Sequence, residues 1–207
     1  MSTDDWFRNT FWNSSIEEAF FKKLRRARRK EQYLRIQASY LAQVAPEVAL
    51  RLLEEYFKLK DDFDHAQAQV DRAHAYIKLN QLEKAIESYE AALEREKEFP
   101  NLQTQAYLDL PLLIMTSRIE RLYDRCIELL SESKDRLIFP VDHFKWHAAN
   151  ALLFSARSRI TEAREHAARA LAAASKDDSG LRYHRTVGLV GSQYGDLREE
   201  LIRLCNA

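Results

Sequence analysis

The chain is poor in the residues that break or bend a backbone, with four glycines and four prolines in 207 residues. Gly180, Gly188, Gly191 and Gly195 all fall in the last 28 residues, and the prolines stand alone at 46, 100, 111 and 140. A β-rich fold of this length needs turn residues at short intervals, so that class is excluded. Two cysteines, Cys126 and Cys205, are too few for a disulfide framework. No apolar run approaches the roughly 18 to 20 residues that a membrane helix needs. The opening MSTDD lacks the basic and apolar regions of a secretory signal, and the chain reads as cytoplasmic. Lys+Arg and Asp+Glu both number 32, so no global field draws the molecule to nucleic acid or to an anionic membrane. Any such attraction has to be local.

What is abundant is alanine, leucine, glutamate and arginine, all strong helix formers. The expected class is all-α. Within AHAYIKLNQLEKAIESYEAALE, Ala73-x2-Tyr76 is followed by Ala85-x3-Tyr89-x2-Ala92. Ala151-x2-Phe154 and Ala163-x3-Ala167-x2-Ala170 repeat that spacing further on. Weaker copies run from Gln37-x2-Tyr40 to Ala49-x3-Leu53-x2-Tyr56, through RLYDRCIELL with Cys126 at the small position, and in GLVGSQYGDLREELIRL. Small residues at such points let two helices of a hairpin touch closely. The pattern resembles the tetratricopeptide repeat, a helix–turn–helix unit of about 34 residues.

The anchors Ala49, Ala85, Cys126, Ala163 and Glu200 lie 36, 41, 37 and 37 residues apart. The resemblance implies a right-handed array of about five helix–turn–helix hairpins across residues 31–207, with a generic array of helical hairpins as the alternative. Asn80 stands where the family's inter-helix turn wants a left-handed residue, which asparagine tolerates. Gly188 aligns with the small residue of a last first helix, and Glu200 with the anchor of its second. Pro100 must end the helix before it. Pro111 fits only near a helix start, with Asp109 as its cap, so the third hairpin is expected to begin irregularly there.

Residues 1–30 precede the repeats. WFRNTFWN carries Trp6, Phe7, Phe11 and Trp12, and is followed by SSIEEAFFKKLRRARRK. Ser14 with Glu17, or Ser15 with Glu18, has capping-box spacing, and Ile16, Phe20, Leu24 and Ala27 recur at helical period. An extra N-terminal capping helix is therefore expected. A repeat array exposes apolar surface at its ends, and the four aromatics either plug the first hairpin or form a partner site.

KKLRRARRK, residues 22–30, has seven basic residues in nine. It reads as a solvated helix face or, alternatively, as a contact for nucleic acid or for an acidic protein partner. His143 and His147 share a helix face, but no third ligand is in reach and no metal site is assigned. Cys126 reads as a small hydrophobe rather than a nucleophile. The glycines 188, 191 and 195 lack the strand that a phosphate loop follows. Asp61, Asp62 and Asp64 lack a calcium loop's spacing, and Asp64 suits a helix cap. No catalytic constellation, cofactor or metal emerges.

The expected function is a non-enzymatic protein-binding module: an adaptor, a chaperone or a toxin-neutralising immunity-type protein. The resemblance implies a concave face lined by first helices, placing Glu31, Arg35, Asp71, His74, Lys78, Arg118 and Lys145 there. The excess of Arg35, His74, Lys78, Arg118 and Lys145 over the two acids points to a protein or peptide partner with an acidic segment. A homo-oligomer is compatible with such an array.

Overall fold

The computed structural model describes residues 5–59 and 63–206, so Asp61 and Asp62 lie outside the described residues. Among the described residues there are ten α-helices and no strand. The chain divides into two compact units, Met1–Ala106 and Tyr107–Ala207.

The first unit holds α1 (Ser14–Leu24), α2 (Lys30–Leu41), α3 (Pro46–Phe57), α4 (His65–Lys78) and α5 (Leu82–Glu98). The α1 cap is Asn13 rather than either serine. Its backbone is extended (φ −149°, ψ 174°) and its side chain accepts from Ile16 N at 2.9 Å. Glu17 is thereby left for other work, accepting from Trp12 Nε1 at 2.9 Å and from Arg51 at 3.0 Å. Two hairpins follow, α2/α3 and α4/α5, and α4 packs on α3 while also touching α2. Ala38, Ala49, Ala73 and Ala85 are fully buried, as the repeat spacing requires of helices in close approach. Leu52, Leu53, Tyr56 and Tyr89 fill the space around them.

The second unit holds α6 (Ala106–Thr116), α7 (Tyr123–Ser133), α8 (Pro140–Ala156), α9 (Ile160–Ala174) and α10 (Gly195–Asn206). Pro111 lies in the middle of α6, not at its start. Having no N–H, it leaves the Tyr107 carbonyl one turn back without its helical donor. The helix starts earlier than the proline suggests because Thr104 secures it. Its Oγ1 accepts from Ala106 N at 3.1 Å, and both its N and its Oγ1 donate to the buried Glu96 carboxylate, at 2.8 and 2.6 Å. Pro111 in fact occupies the place of Ala73 and Ala151, three residues before the last-turn carbonyl of its helix. Its own carbonyl faces Cys126 Sγ at 3.9 Å.

Three first helices end in the same way. Asn80, Arg118 and Ser158 have φ of +56°, +52° and +58°. In each case the next N–H reaches back five residues: Gln81 to Tyr76 O, Ile119 to Ile114 O and Arg159 to Phe154 O. This is the Schellman closure, with its left-handed residue. Ala85 follows Tyr76 by nine residues and Ala163 follows Phe154 by nine, whereas Cys126 follows Ile114 by twelve. The extra residues form the 3-10 turn Glu120–Leu122 inside the third hairpin. Much of the long 41-residue spacing therefore sits in a turn, not in the stretch around Pro100.

The end of the chain departs from the expected register. Residues 181–191 are not helical, and Gly188 adopts φ +70°. A Cβ there would come within 2.5 Å of Phe139, while its carbonyl accepts from Val141 N at the start of α8. No first helix stands before α10. α10 packs chiefly on α9 and also touches α8, as α4 does on α3 and α2. It thus takes the place of a next first helix. Arg198 donates to Ala174 O at 2.5 Å, closing the end of α9, and an outer surface with Glu199 and Arg203 suits a terminal helix.

Candidate functional site

In the first unit, α2 and α4 bring Arg35 and Asp71 together. Arg35 Nη1 lies 3.4 Å from Asp71 Oδ2, its Nε lies 3.5 Å from Asp64, and Gln67 donates to the other Asp71 oxygen at 3.1 Å. Asp64 occupies the α4 cap position without making a side-chain cap bond, because its carboxylate faces Arg35 instead. Burial pushes the Asp71 pKa up, and Arg35 and Gln67 only partly offset it. His74, one turn further along, meets the Tyr89 ring edge-on at 6.1 Å. Lys78 is exposed in the last turn of α4, and Glu31 is half-buried in the first turn of α2.

The second unit repeats the pairing with its polarity reversed. Asp109 on α6 receives Lys145 Nζ from α8 at 2.5 Å, and the lysine side chain is only 8% exposed. Burial works to lower the Lys145 pKa, but Asp109, Tyr194 and Asp142 outweigh it and leave it raised. Arg118 is not on a helix face. It sits in the left-handed turn between α6 and α7, 81% exposed, with Glu200 at 3.9 Å. Of the five cations assigned from the sequence, Arg35 and Lys145 therefore carry internal counterions, while Lys78 and Arg118 are open to solvent.

The N-terminal aromatics divide. Trp6 stacks near Phe20 and Tyr33 (5.3 and 4.8 Å), Phe7 lies 4.7 Å from Tyr33, and Trp12 lies 5.5 Å from Phe20. These three pack against the core of the first unit, whereas Phe11 is 63% exposed. Asn9 holds the segment down through Gln37, which is buried on α2.

Residues 22–30 do not form one basic helix. The run ends α1, crosses the connection and starts α2, because α1 breaks after Leu24. Its basic side chains are all exposed.

His147 finds His166 rather than a metal ligand on its own helix, with the two Nδ1 atoms 3.1 Å apart. Burial, then His166, Arg169 and His143, push the His147 pKa down to about 4. Burial and Arg169 lower that of His166 too. Among the described residues no three His, Cys, Asp or Glu side chains are grouped to hold a metal ion. Burial pushes the Cys126 thiol up to about 12, so it is neutral and poorly nucleophilic at ordinary pH.

Asp71 and Asp109, which periodicity places on a helix face and at a helix start, are in fact the counterions of Arg35 and Lys145. Asp71 lies 36 residues after Arg35, and Lys145 lies 36 after Asp109, so opposite charges one repeat apart were the available signal. His166, on the neighbouring helix, had no such signal.

Residues 66–99, which span α4, the Asn80 turn and α5, match the tetratricopeptide repeat family model. The match covers one hairpin, and with the hairpins above it supports a tetratricopeptide-like helical repeat array, an architecture that suggests a protein-interaction module. Neither the search of curated proteins nor the search of solved structures gave a match. Among the described residues no helix is long and apolar enough to cross a membrane.

Proposed function

We propose that the protein is a non-enzymatic protein-binding module acting as an adaptor, chaperone or immunity-type protein, and that it takes a partner segment along its first helices. The observation carrying this reading is the ordered polar face of α2 and α4, where Arg35, Asp64, Gln67 and Asp71 fix one another beside His74 and Lys78. Polar side chains held in place lose little conformational entropy when a peptide binds, and this favours recognition. An acidic stretch of the partner meets Lys78 in the first unit or, separately, Arg118 in the second. Arg35 and Lys145 are little exposed and held by their own carboxylates, whereas Arg118 is 81% exposed despite Glu200 at 3.9 Å. Trp6, Phe7 and Trp12 act as an end cap in this reading, and Phe11 remains available for contact.

The test is affinity capture from the source cell with the immobilised protein, its Lys78→Glu/Arg118→Glu variant and an Arg164→Glu control. Captured proteins are then quantified by mass spectrometry. A protein retained by the wild type and the control, and lost from the double variant, supports the reading. Capture unchanged in the double variant moves the site elsewhere, and capture of nucleic acid alone overturns the protein-binding class.

A further inference from the structure

The basic run has a feature that a merely solvated face would not need. Lys22, Arg25, Arg26, Arg28, Arg29 and Lys30 are exposed, and none of them pairs with a carboxylate among the described residues. Elsewhere the exposed cations of this neutral chain commonly do: Arg51 with Glu17, Lys58 with Glu55, Lys97 with Glu94, Arg159 with Glu162. Six positive charges with no counterion among the described residues therefore gather around the end of α1 and the start of α2.

Beside them opens a groove of about 300 Å³ in the first unit. Phe21, Leu24, Leu34 and Leu59 form its apolar wall, and Arg25 and Lys30 stand on its rim. The volume lies at the small end of the roughly 300–1,000 Å³ of ligand pockets, room for one or two large side chains. Glu55, the acid among the described residues lining the groove, is already held by Lys58 at 2.5 Å, so the described rim presents net positive charge.

We propose that this groove is a second protein-docking site, separate from the first-helix face, and that its occupant is an acidic amphipathic segment. One or two large apolar side chains enter between Phe21 and Leu59, while flanking Asp or Glu side chains meet Arg25, Lys30 and the cations beyond. Charge complementarity selects the sign of the partner and speeds encounter, and the apolar wall supplies the anchor. Nucleic acid fits less well. A phosphate backbone would use the charges but leave the apolar wall exposed.

The test uses two synthetic fluorescent peptides of equal length and charge, glutamate-rich, one with a central Leu-Phe pair and one with Ser-Ser there. Binding to the full chain is read by fluorescence anisotropy. The Leu-Phe peptide should bind at least tenfold more tightly than the Ser-Ser peptide. Leu59→Asp, at a partly exposed position, should abolish that difference while leaving the thermal melt unchanged. Arg25→Glu/Lys30→Glu should weaken both peptides, and the new acid at position 30 suits the start of α2. Equal affinity for the two peptides, no binding of either, or a difference that survives Leu59→Asp overturns the proposal. So does a single-stranded oligonucleotide that binds more tightly than the Leu-Phe peptide.

Discussion

Gln37 and Asn9 hold each other by three hydrogen bonds. Gln37 Oε1 accepts from Asn9 N and Nδ2 at 3.0 and 2.7 Å, and Gln37 Nε2 donates to Asn9 O at 2.8 Å. A side chain on the first repeat helix thus treats the N-terminal segment almost as a sheet neighbour would, and Trp6 is set over Phe20 and Tyr33 in consequence. Gln37→Ala removes that clamp and strands buried amide groups, which should cost about 1–3 kcal/mol. Denaturant melts of Gln37→Ala and of a variant lacking residues 1–13 should both shift down. Wild-type melts for both would mean that the aromatics are not a structural cap.

Ala85 and Ala163 are buried where the two helices of a hairpin meet. Leucine at either site overpacks the contact and should destabilise by roughly 1–3 kcal/mol. Thermal melts check this, with the exposed Ala168→Leu as a neutral control. Tolerance at both buried alanines would sink the repeat register.

That register was legible because small residues at fixed spacing leave a trace in sequence. Ala73, Ala85, Ala151 and Ala163 carried it, and Asn80 marked its turn. Pro111 hid it, since a proline at an alanine position argues against a helix that Thr104 and Glu96 nonetheless secure. The Glu120–Leu122 turn shifted the frame without changing the helices. Gly188 looked like a small helical residue, yet the clustering of all four glycines near the end was the better signal of irregular chain. The candidate site was less legible than the fold. Sequence gave Arg35 and Lys145 as cations, but pairing with Asp71 and Asp109 depends on where helices one repeat apart face each other.

The His147–His166 contact should make stability pH-dependent. The fold holds both imidazoles neutral, with His147 lowered from 6.5 to about 4. A folded-state pKa below the unfolded one means that this stability is fully present above pH 6.5 and is lost as pH falls toward 4. A fully shielded group would gain about 1.36 kcal/mol per pH unit, and because His147 is only half-buried its share is smaller, on the order of 1–2 kcal/mol. Arg169 and His143 press the same way, and Glu165 opposes them at His166. Urea melts between pH 7 and 4 should show a shallower acid slope for His147→Gln than for the wild type. Parallel slopes would remove the pair from the account.

Arg118 and Ser158 close their helices in the same left-handed conformation as Asn80, but neither has asparagine's tolerance for it. Glycine there should relieve strain and stabilise the fold by roughly 0.5–1 kcal/mol at each site, less its own entropic cost in the unfolded chain. For Ser158→Gly, whose side chain has no assigned role, higher stability with unchanged partner capture is expected. Arg118→Gly should also melt higher, yet lose captured partner, because the guanidinium is 81% exposed beside Glu200 and open to a carboxylate. A strained arginine that improves stability when removed and harms binding is the signature of a residue kept for contact. Should Arg118→Gly retain full capture, the contact with the partner would be left to Lys78, the solvent-open cation of α4.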